Sequence, residues 1–562
     1  MLILGVADNH DAGAAVVEDG VLLAAVGQER IDRNKNSGAF PWGAIEAALD
    51  KAERRARDVD RIVFGTSFTP SFLLRKVPEL HHGKKANGSQ FDYLLNLYIT
   101  YQVALRQTGL HLFEVEACQR LLAARMRDRG FEKARVDLMD HHQAHAHAAY
   151  RSQEEPVCLV LTVDAMGDGQ TCTASVGRQG QLDQHWSQSG FAAVNTYYSR
   201  VTEWLGFTPN RHEGKITGLA AYTDPPPELL AHFRKQLHFV GPGFSTVNYL
   251  ERQHEGDAFY GALSAWSKEQ IASAMQRNLE HAVTAFVEHW VGATGVADVA
   301  VCGGIFANVK LNQRIAELAC VDSLWVYPNM GDGGLCVGAA LAAAERPPRR
   351  LPSLYLGPAY KQSTIAQELN IAGLRPEKPD DLEARVVELL AAGKVVARFD
   401  GGMEFGPRAL GNRSILFRPD DPSVNDWLNK HLQRTEFMPF APMLRAERAQ
   451  DCFVGVEKAA NAARFMTVCF DCTPFFLRTC PGVVHCDGTA RPQLVHEADN
   501  PKLWRLLELW EEHTGLPALI NTSFNMHEEP IVCSPHDAIR AWTAASLDAL
   551  SIGPFLVTPG AG

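Results

Sequence analysis

The sequence predicts an α/β protein built from two units, and three observations predict it. The chain has 562 residues, about twice what one hydrophobic core sustains, since cores stop growing near roughly 250–300 residues. Short apolar, β-rich runs recur and pass through glycine-rich turns into helical patterns, as in VAVCGGIFANVKLNQRIAEL and NMGDGGLCVGAALAAA. That alternation marks the α/β class. Residues 346–359, RPPRRLPSLYLGPA, are proline-rich and basic, a boundary composition. The first unit is therefore expected over 1–350 and the second over 360–562.

The chain opens with the apolar run LILGVA and the polar turn DNHDAG. AAVVEDGVLLAAVGQER then reads as two strands around a Glu-Asp-Gly turn, a hairpin signal, and FPWGAIEAALDKAERRA as an amphipathic helix. Residues of about 68–130 differ: the polar loop HHGKKANGSQ precedes long helical patterns such as YLLNLYITYQVAL. They predict a helical insertion, either packing the scaffold or shaping substrate choice. VCLVLTVDAMGDGQTCTASV opens another strand-rich stretch, and beyond residue 360 DLEARVVELLAAG leads as a helix into the strand KVVARFD.

Composition narrows the function classes. Hydrophobic residues at 46% and charged residues at 21% match a globular protein and argue against disorder. A net charge of −11 disfavours a broad non-specific grip on nucleic acid and leaves room for a local basic pocket. The N-terminus lacks a cationic leader, and no stretch approaches about 18 uninterrupted apolar residues. A cytoplasmic protein that does not cross a membrane is expected. The 12 cysteines then read as reduced thiols. A zinc site on Cys469, Cys472, Cys480 and Cys486 is not expected, because FMTVCFDCTPFF reads as a strand, which sends residues three apart to opposite faces.

The most informative segment runs Asp140-His141-His142-Gln143-Ala144-His145-Ala146-His147. His141 and His145 are four apart, so on a helix they share a face and can grip one ion, whereas His142 and His147 point elsewhere. Asp164, at the end of LVLTVD, and Asp332, in NMGDGG, are candidate carboxylate ligands. Two imidazoles and two carboxylates suit Fe(II), Mn(II) or zinc, and the absence of thiolate argues against a structural zinc site. Gly167, Asp168 and Gly169 follow Asp164, and Gly303 and Gly304 precede Asn308 at a strand-to-helix turn. Such turns let backbone N–H groups approach phosphates. Each alone is weak evidence, and none is a Walker A loop.

Together these stretches resemble the O-carbamoyltransferases of nodulation-factor and antibiotic tailoring, the NodU, CmcH and TobZ type. The matching segments are DNHDAGAA, HHQAHAHAAY, TVDAMGDG, EGKITGLAAY, CGGIFANVKLN and NMGDGG, then DGGMEFGPRALGNRSIL, RTEFMPFAPM, VHCDGTARPQLV and INTSFNMHEEPIV. They stand in the family's order from residue 8 to residue 532. The resemblance implies an actin-like (ASKHA, ribonuclease-H-like) duplicated N-terminal domain with a helical insertion, of the TsaD type. That type completes threonylcarbamoyl-adenosine on tRNA. It implies a YrdC-like α/β domain after it. The C-terminal unit would join carbamoyl phosphate to ATP, giving carbamoyladenylate and pyrophosphate. The N-terminal unit would pass the carbamoyl group to an acceptor hydroxyl at a metal, iron(II) in the resembling enzymes. The implied ligands are His141, His145, Asp164 and Asp332, the set already reached from chemistry.

Joining two anions needs fixed cations. Arg408 and Arg413 in GPRALGNRS are candidates, because guanidinium binds phosphate bidentately and keeps its charge. Asn412, Ser414, Arg434, Arg491, Asn521 and Ser523 are candidates to complete that pocket. A lone arginine is more often a surface charge; the glycine and proline setting of Arg408 favours function. Many family members carry a lysine two residues before the arginine of RTEFMPFAP and a second arginine just before PFAP. Here Leu432 and Met438 stand there, with Lys430 and Arg418 as possible substitutes.

His10 is the candidate general base, oriented by Asp8 or Asp11. The alternative is that it only bonds the adenylate or the turn. Lys215 in EGKITG is a candidate phosphate contact or a structural ion pair.

The expected partners are carbamoyl phosphate, ATP (with Mg2+) and a hydroxylated small-molecule or sugar acceptor, with a homodimer as the assembly to test. A sugar kinase leaves the histidine pair without work. A tRNA-modifying enzyme sits poorly with the acidic charge. A non-catalytic actin-like scaffold does not need the ligand set.

Overall fold

In a computed structural model the described residues are 1–77, 89–246, 258–423, 429–430 and 440–559, with the side chains of 89–96 and 258 excepted. The chain divides into two compact units, one of Met1–Gln28 and Asn36–Arg350, the other of Glu29–Lys35 and Leu351–Gly562.

The first unit holds two five-stranded sheets of the same plan. In the first, β1 (Leu2–Ala7), β2 (Gly13–Glu18) and β3 (Val21–Gly27) form an antiparallel meander, and β4 (Arg61–Phe64) and β5 (Arg135–Leu138) add parallel to β1. The order is β3-β2-β1-β4-β5. The expected hairpin turns at Asp19 and Gly20, both at positive φ, the geometry an Asp-Gly turn provides.

In the second sheet β6 (Val157–Gly167), β7 (Gln170–Arg178) and β8 (Gln181–Ser189) form the meander. After a small hairpin of β9 (Leu237–Val240) and β10 (Gly243–Thr246), β11 (Asp298–Cys302) and β12 (Ser323–Val326) add parallel to β6. Read from its far edge, the order is β8-β7-β6-β11-β12. This repeat is the duplicated ribonuclease-H-like, actin-like plan.

Two helices lie against these sheets and against each other. His141–Arg151 follows β5 of the first sheet but packs on β6 and β11 of the second, and Leu335–Ala343 follows β12 but packs on β1 and β2. Nearly every residue of both is buried. They meet closely enough that a Cβ on Gly338 would stand 1.9 Å from the Ala144 carbonyl oxygen. Small side chains are thus what lets the two halves close. A core of Leu2, Leu4, Val6, Val16, Ile45, Ile62, Phe64, Leu122 and Met126 lies on the first sheet.

The expected amphipathic helix runs only over Trp42–Lys51, ending where Glu53 turns to positive φ. Of the 68–130 segment, helices Ser89–Thr108 and His111–Arg127 are described; most of its polar loop lies outside the described residues.

The second unit is built on a seven-stranded mixed sheet. Its strands are β13 (Val396–Phe399), β14 (Arg413–Phe417), β15 (Ala441–Arg445), β18 (Gln493–Val495), β19 (Ala518–Ser523), β20 (Ala549–Ile552) and β21 (Phe555–Val557), with β16 (Phe470–Asp471) and β17 (Thr489–Ala490) paired separately. The order is β18-β15-β19-β14-β13-β20-β21. Trp510, Leu416, Met443 and Leu519 anchor its core. The expected strand FMTVCFDCTPFF is only two residues long, because Thr473 caps a helix that Pro474 opens. Glu29–Lys35 belongs to this unit: Arg30 donates to the Gly406 carbonyl at 2.7 Å, and Arg33 to those of Pro530 and Ile531, both at 2.6 Å. No periodicity announces that exchange.

Among the described residues, no helix is long and apolar enough to cross a membrane.

Candidate functional site

The helix His141–Arg151 begins where Asp140 accepts the backbone N–H groups of His142 and Gln143, a side-chain N-cap. Arg106 holds the other Asp140 oxygen at 2.7 Å. This start places His141 and His145 one turn apart, with rings 4.7 Å from centre to centre.

Asp164 and Asp332 come to meet them. The Asp164 Oδ2 lies 3.1 Å from His141 Nε2 and 3.4 Å from His145 Nε2. The Asp332 Oδ1 lies 3.7 Å and 3.6 Å from the same nitrogens. All four side chains are buried, and their ligand atoms lie within 4.8 Å of one another. An ion held at about 2.0–2.2 Å by such donors puts neighbouring donors about 3.0–3.5 Å apart, close to what is found. His145 Nε2 has no hydrogen-bond partner among the described residues, and two carboxylates share one buried pocket. A cation answers both needs, so the residues fit a first-row transition ion. No second group of His, Cys, Asp or Glu converges in this way among the described residues.

The buried groups also set one another's charge. Burial would push Asp164 up, but the His141 hydrogen bond and the two imidazoles beside it outweigh that and hold the carboxylate well below its usual range. Burial would lower His145, but Cys302, Asp164 and Asp332 raise it well above 6.5. His142 differs: burial, with His141 and His145, pushes it down to about 3. It stays neutral and bonds Thr162 at 2.8 Å. His147 accepts from Arg151 at 3.1 Å.

His10 sits beside this cluster with 60% of its side chain exposed, Nδ1 3.4 Å from Asp332 Oδ2 and Nε2 3.9 Å from Asp11. Asp8 does not orient it. Its carboxylate is instead paired twice with Arg75, at 2.8 and 3.0 Å, deep in the protein.

The glycine turns serve the cluster more than an open phosphate cradle. Gly167 has no room for a side chain, since a Cβ would stand 2.1 Å from the His141 ring. Asp168 is spent on the backbone N–H groups of Ser67, Phe68 and His141, at 2.7–2.9 Å. Gly303 adopts φ +115, and Gly304 donates its N–H to Asp164 Oδ1 at 3.0 Å. Asn308 caps the helix Val309–Ala316 and bonds Gln276. Lys215 is buried in the helix Glu213–Ala220.

In the second unit several expected phosphate contacts turn out to hold the loop itself. Arg413 is fully buried over the Phe399 ring at 3.7 Å and donates to the carbonyls of Asp400, Asn412, Pro358 and Gly401. Asn412 bonds Arg398, Asn500 and Gly402. Ser414 accepts from Gly411, and Asn521 donates to Ala409 and Gln493. Buried Glu404 was missed. Its Oε1 gathers the N–H groups of Leu410, Asn412 and Arg413 at 2.8–3.1 Å; a lone Glu in GMEFGPR carries no sequence signal for this. Arg408, Arg491 and Ser523 are half-buried and Lys430 is exposed, while Arg418 is paired with Asp420. Arg434, Leu432 and Met438 lie outside the described residues.

Two family models cover most of the chain: the carbamoyltransferase N-terminus over residues 2–341 and the carbamoyltransferase C-terminus over residues 387–559. An uncharacterized protein of Methanocaldococcus jannaschii is 27% identical over 99% of both chains. Nodulation protein U of Rhizobium tropici is 31% identical over 94% of this chain and 91% of its own. Nodulation protein NolO of Bradyrhizobium diazoefficiens is 31% identical over 75% of this chain and 78% of its own. The chain therefore belongs to the carbamoyltransferase family and is a transferase.

Proposed function

We propose that the chain is an ATP-dependent O-carbamoyltransferase. The 351–562 unit converts carbamoyl phosphate and ATP to carbamoyladenylate. Atom balance then requires one water to be consumed and inorganic phosphate to leave beside pyrophosphate. The 1–350 unit transfers the carbamoyl group to a hydroxyl of a sugar or natural-product acceptor. The observation that carries this reading is the buried convergence of His141, His145, Asp164 and Asp332 within a segment that matches the family.

His141, His145, Asp164 and Asp332 would hold the metal, Fe(II) first, with Mn(II) or zinc as alternatives. When bound it supplies Lewis acidity toward a carbonyl oxygen and neutralises developing negative charge. The remaining work falls to the chain's own groups. With its proton on Nδ1 toward Asp332, His10 has Nε2 as its basic nitrogen, 3.9 Å from Asp11. His10 thus accepts the proton of the attacking hydroxyl, a general-base role. Arg408 supplies a guanidinium to the anions of the adenylating step, and ATP enters with Mg2+.

The test incubates the protein with ATP, carbamoyl phosphate and a panel of hydroxylated acceptors. Pyrophosphate should appear only when carbamoyl phosphate is present, and one acceptor should gain the mass of one carbamoyl group. Release of ADP in place of pyrophosphate would overturn the reading.

A further inference from the structure

Each carboxylate of the cluster is divided in the same way. Asp164 turns Oδ2 to the two imidazoles, while its Oδ1 receives Asn195 Nδ2 at 3.2 Å and the Gly304 N–H at 3.0 Å. Asp332 turns Oδ1 to His141 and His145, while its Oδ2 receives Asn9 Nδ2 at 2.7 Å and faces His10 Nδ1 at 3.4 Å. The asparagines come from different places, Asn9 from the turn after β1 and Asn195 from the helix Val194–Trp204. The opposite amide orientation would set oxygen against oxygen, so chemistry dictates which end of each amide faces its carboxylate. Neither Oδ1 has a hydrogen-bond partner among the described residues, so the carboxylate contact is the bond each amide makes.

We infer that Asn9 and Asn195 are positioning residues that keep Asp332 and Asp164 as one-oxygen ligands. The inference rests on the metal reading above. Two imidazoles and two one-oxygen carboxylates supply four donors. If both carboxylates turned flat onto the ion they would supply six and close it to any further ligand. Donors that engage the outer oxygen of a ligand orient it and tune the site, and their loss typically costs about 10- to 100-fold in metal affinity.

The probe is Co(II), whose visible absorption is much stronger with four or five donors than with six. Wild type, Asn9→Ala, Asn195→Ala and the double variant are titrated with Co(II), and affinity and spectrum are read without any turnover assay. Each single variant should bind about 10- to 100-fold more weakly, and the double variant, with both carboxylates freed to give six donors, should lose most of its visible absorption. Asn278→Ala is the control for destabilisation alone. That amide bonds Tyr197, Phe233 and Leu237, so its loss should lower Tm and leave the cobalt spectrum unchanged. If wild type binds Co(II), both single variants keep its affinity and the double variant keeps its spectrum, the positioning role is wrong. If wild type binds no Co(II), the metal reading itself fails and takes this inference with it.

Discussion

Asp164 and Asp332 share a buried pocket with two imidazoles, and two buried carboxylates need positive charge beside them. His141→Ala or His145→Ala removes one donor and leaves the carboxylates facing each other. The expected outcome is loss of carbamoyl transfer with carbamoyl-phosphate-dependent pyrophosphate release retained. Arg408→Ala should do the reverse: release fails, while transfer from supplied carbamoyladenylate persists. Pyrophosphate assays and acceptor mass measurements on the same preparations separate the two. Arg413→Ala belongs to another class. Its guanidinium ties four carbonyls beneath the loop, so the variant should lose folded protein, read as soluble yield and Tm, before it loses any specific step.

At the scale of elements, the histidine helix is held by its fit to the helix Leu335–Ala343. Gly338 lets the backbones touch, and a methyl group there would meet the Ala144 carbonyl and the Ala148 Cβ. Gly338→Ala should therefore destabilise by about 1–3 kcal/mol, as overpacking does. It should also weaken Co(II) binding, because the helix that must move carries His141 and His145. Gly292→Ala, in the helix Lys268–Thr294, meets nothing within 4 Å. It should stabilise by about 0.5–1 kcal/mol by removing a mid-helix glycine. Thermal unfolding of the two variants checks both signs.

For the molecule as a whole, stability under acid depends on ion pairs that tie distant segments. Asp400 joins β13 to the helix Pro501–Thr514 through Arg398 at 3.0 Å and Lys502 at 3.3 Å. Burial pushes its pKa up, but those two cations pull harder and the net shift is downward. A depressed carboxylate contributes stability that is complete above its unfolded value of about 3.9, and that contribution disappears as pH falls through the folded value. The gap in denaturation midpoint between wild type and Asp400→Asn should therefore be constant near neutral pH and close as pH drops below about 4. A gap that stays constant down to pH 2 would show that the charge of Asp400 contributes nothing.

Local chemistry decided a good deal on its own. The Asp-Gly hairpin, the glycine joins between strand and helix, and the one-turn spacing of His141 and His145 follow from short-range sterics and helical period, which neighbouring residues set. The donor types of Asp164 and Asp332 were readable too, because one follows an apolar run and the other stands in a glycine-rich turn. Tertiary structure alone decided which polar groups face the cluster and which are consumed in holding the backbone. Arg413, Asn412 and Asp168 carry the residue types of a phosphate site, yet their hydrogen bonds go to carbonyls and N–H groups brought close by folding. Asn9 and Asn195 carry no pattern and gain their roles from partners far away in the chain, and Glu404 gains its role from the way the loop after it folds back. Residues Glu29–Lys35 join the second unit for the same reason. A hydrogen bond is satisfied by whatever the fold places within about 3 Å, and sequence spacing does not encode that distance.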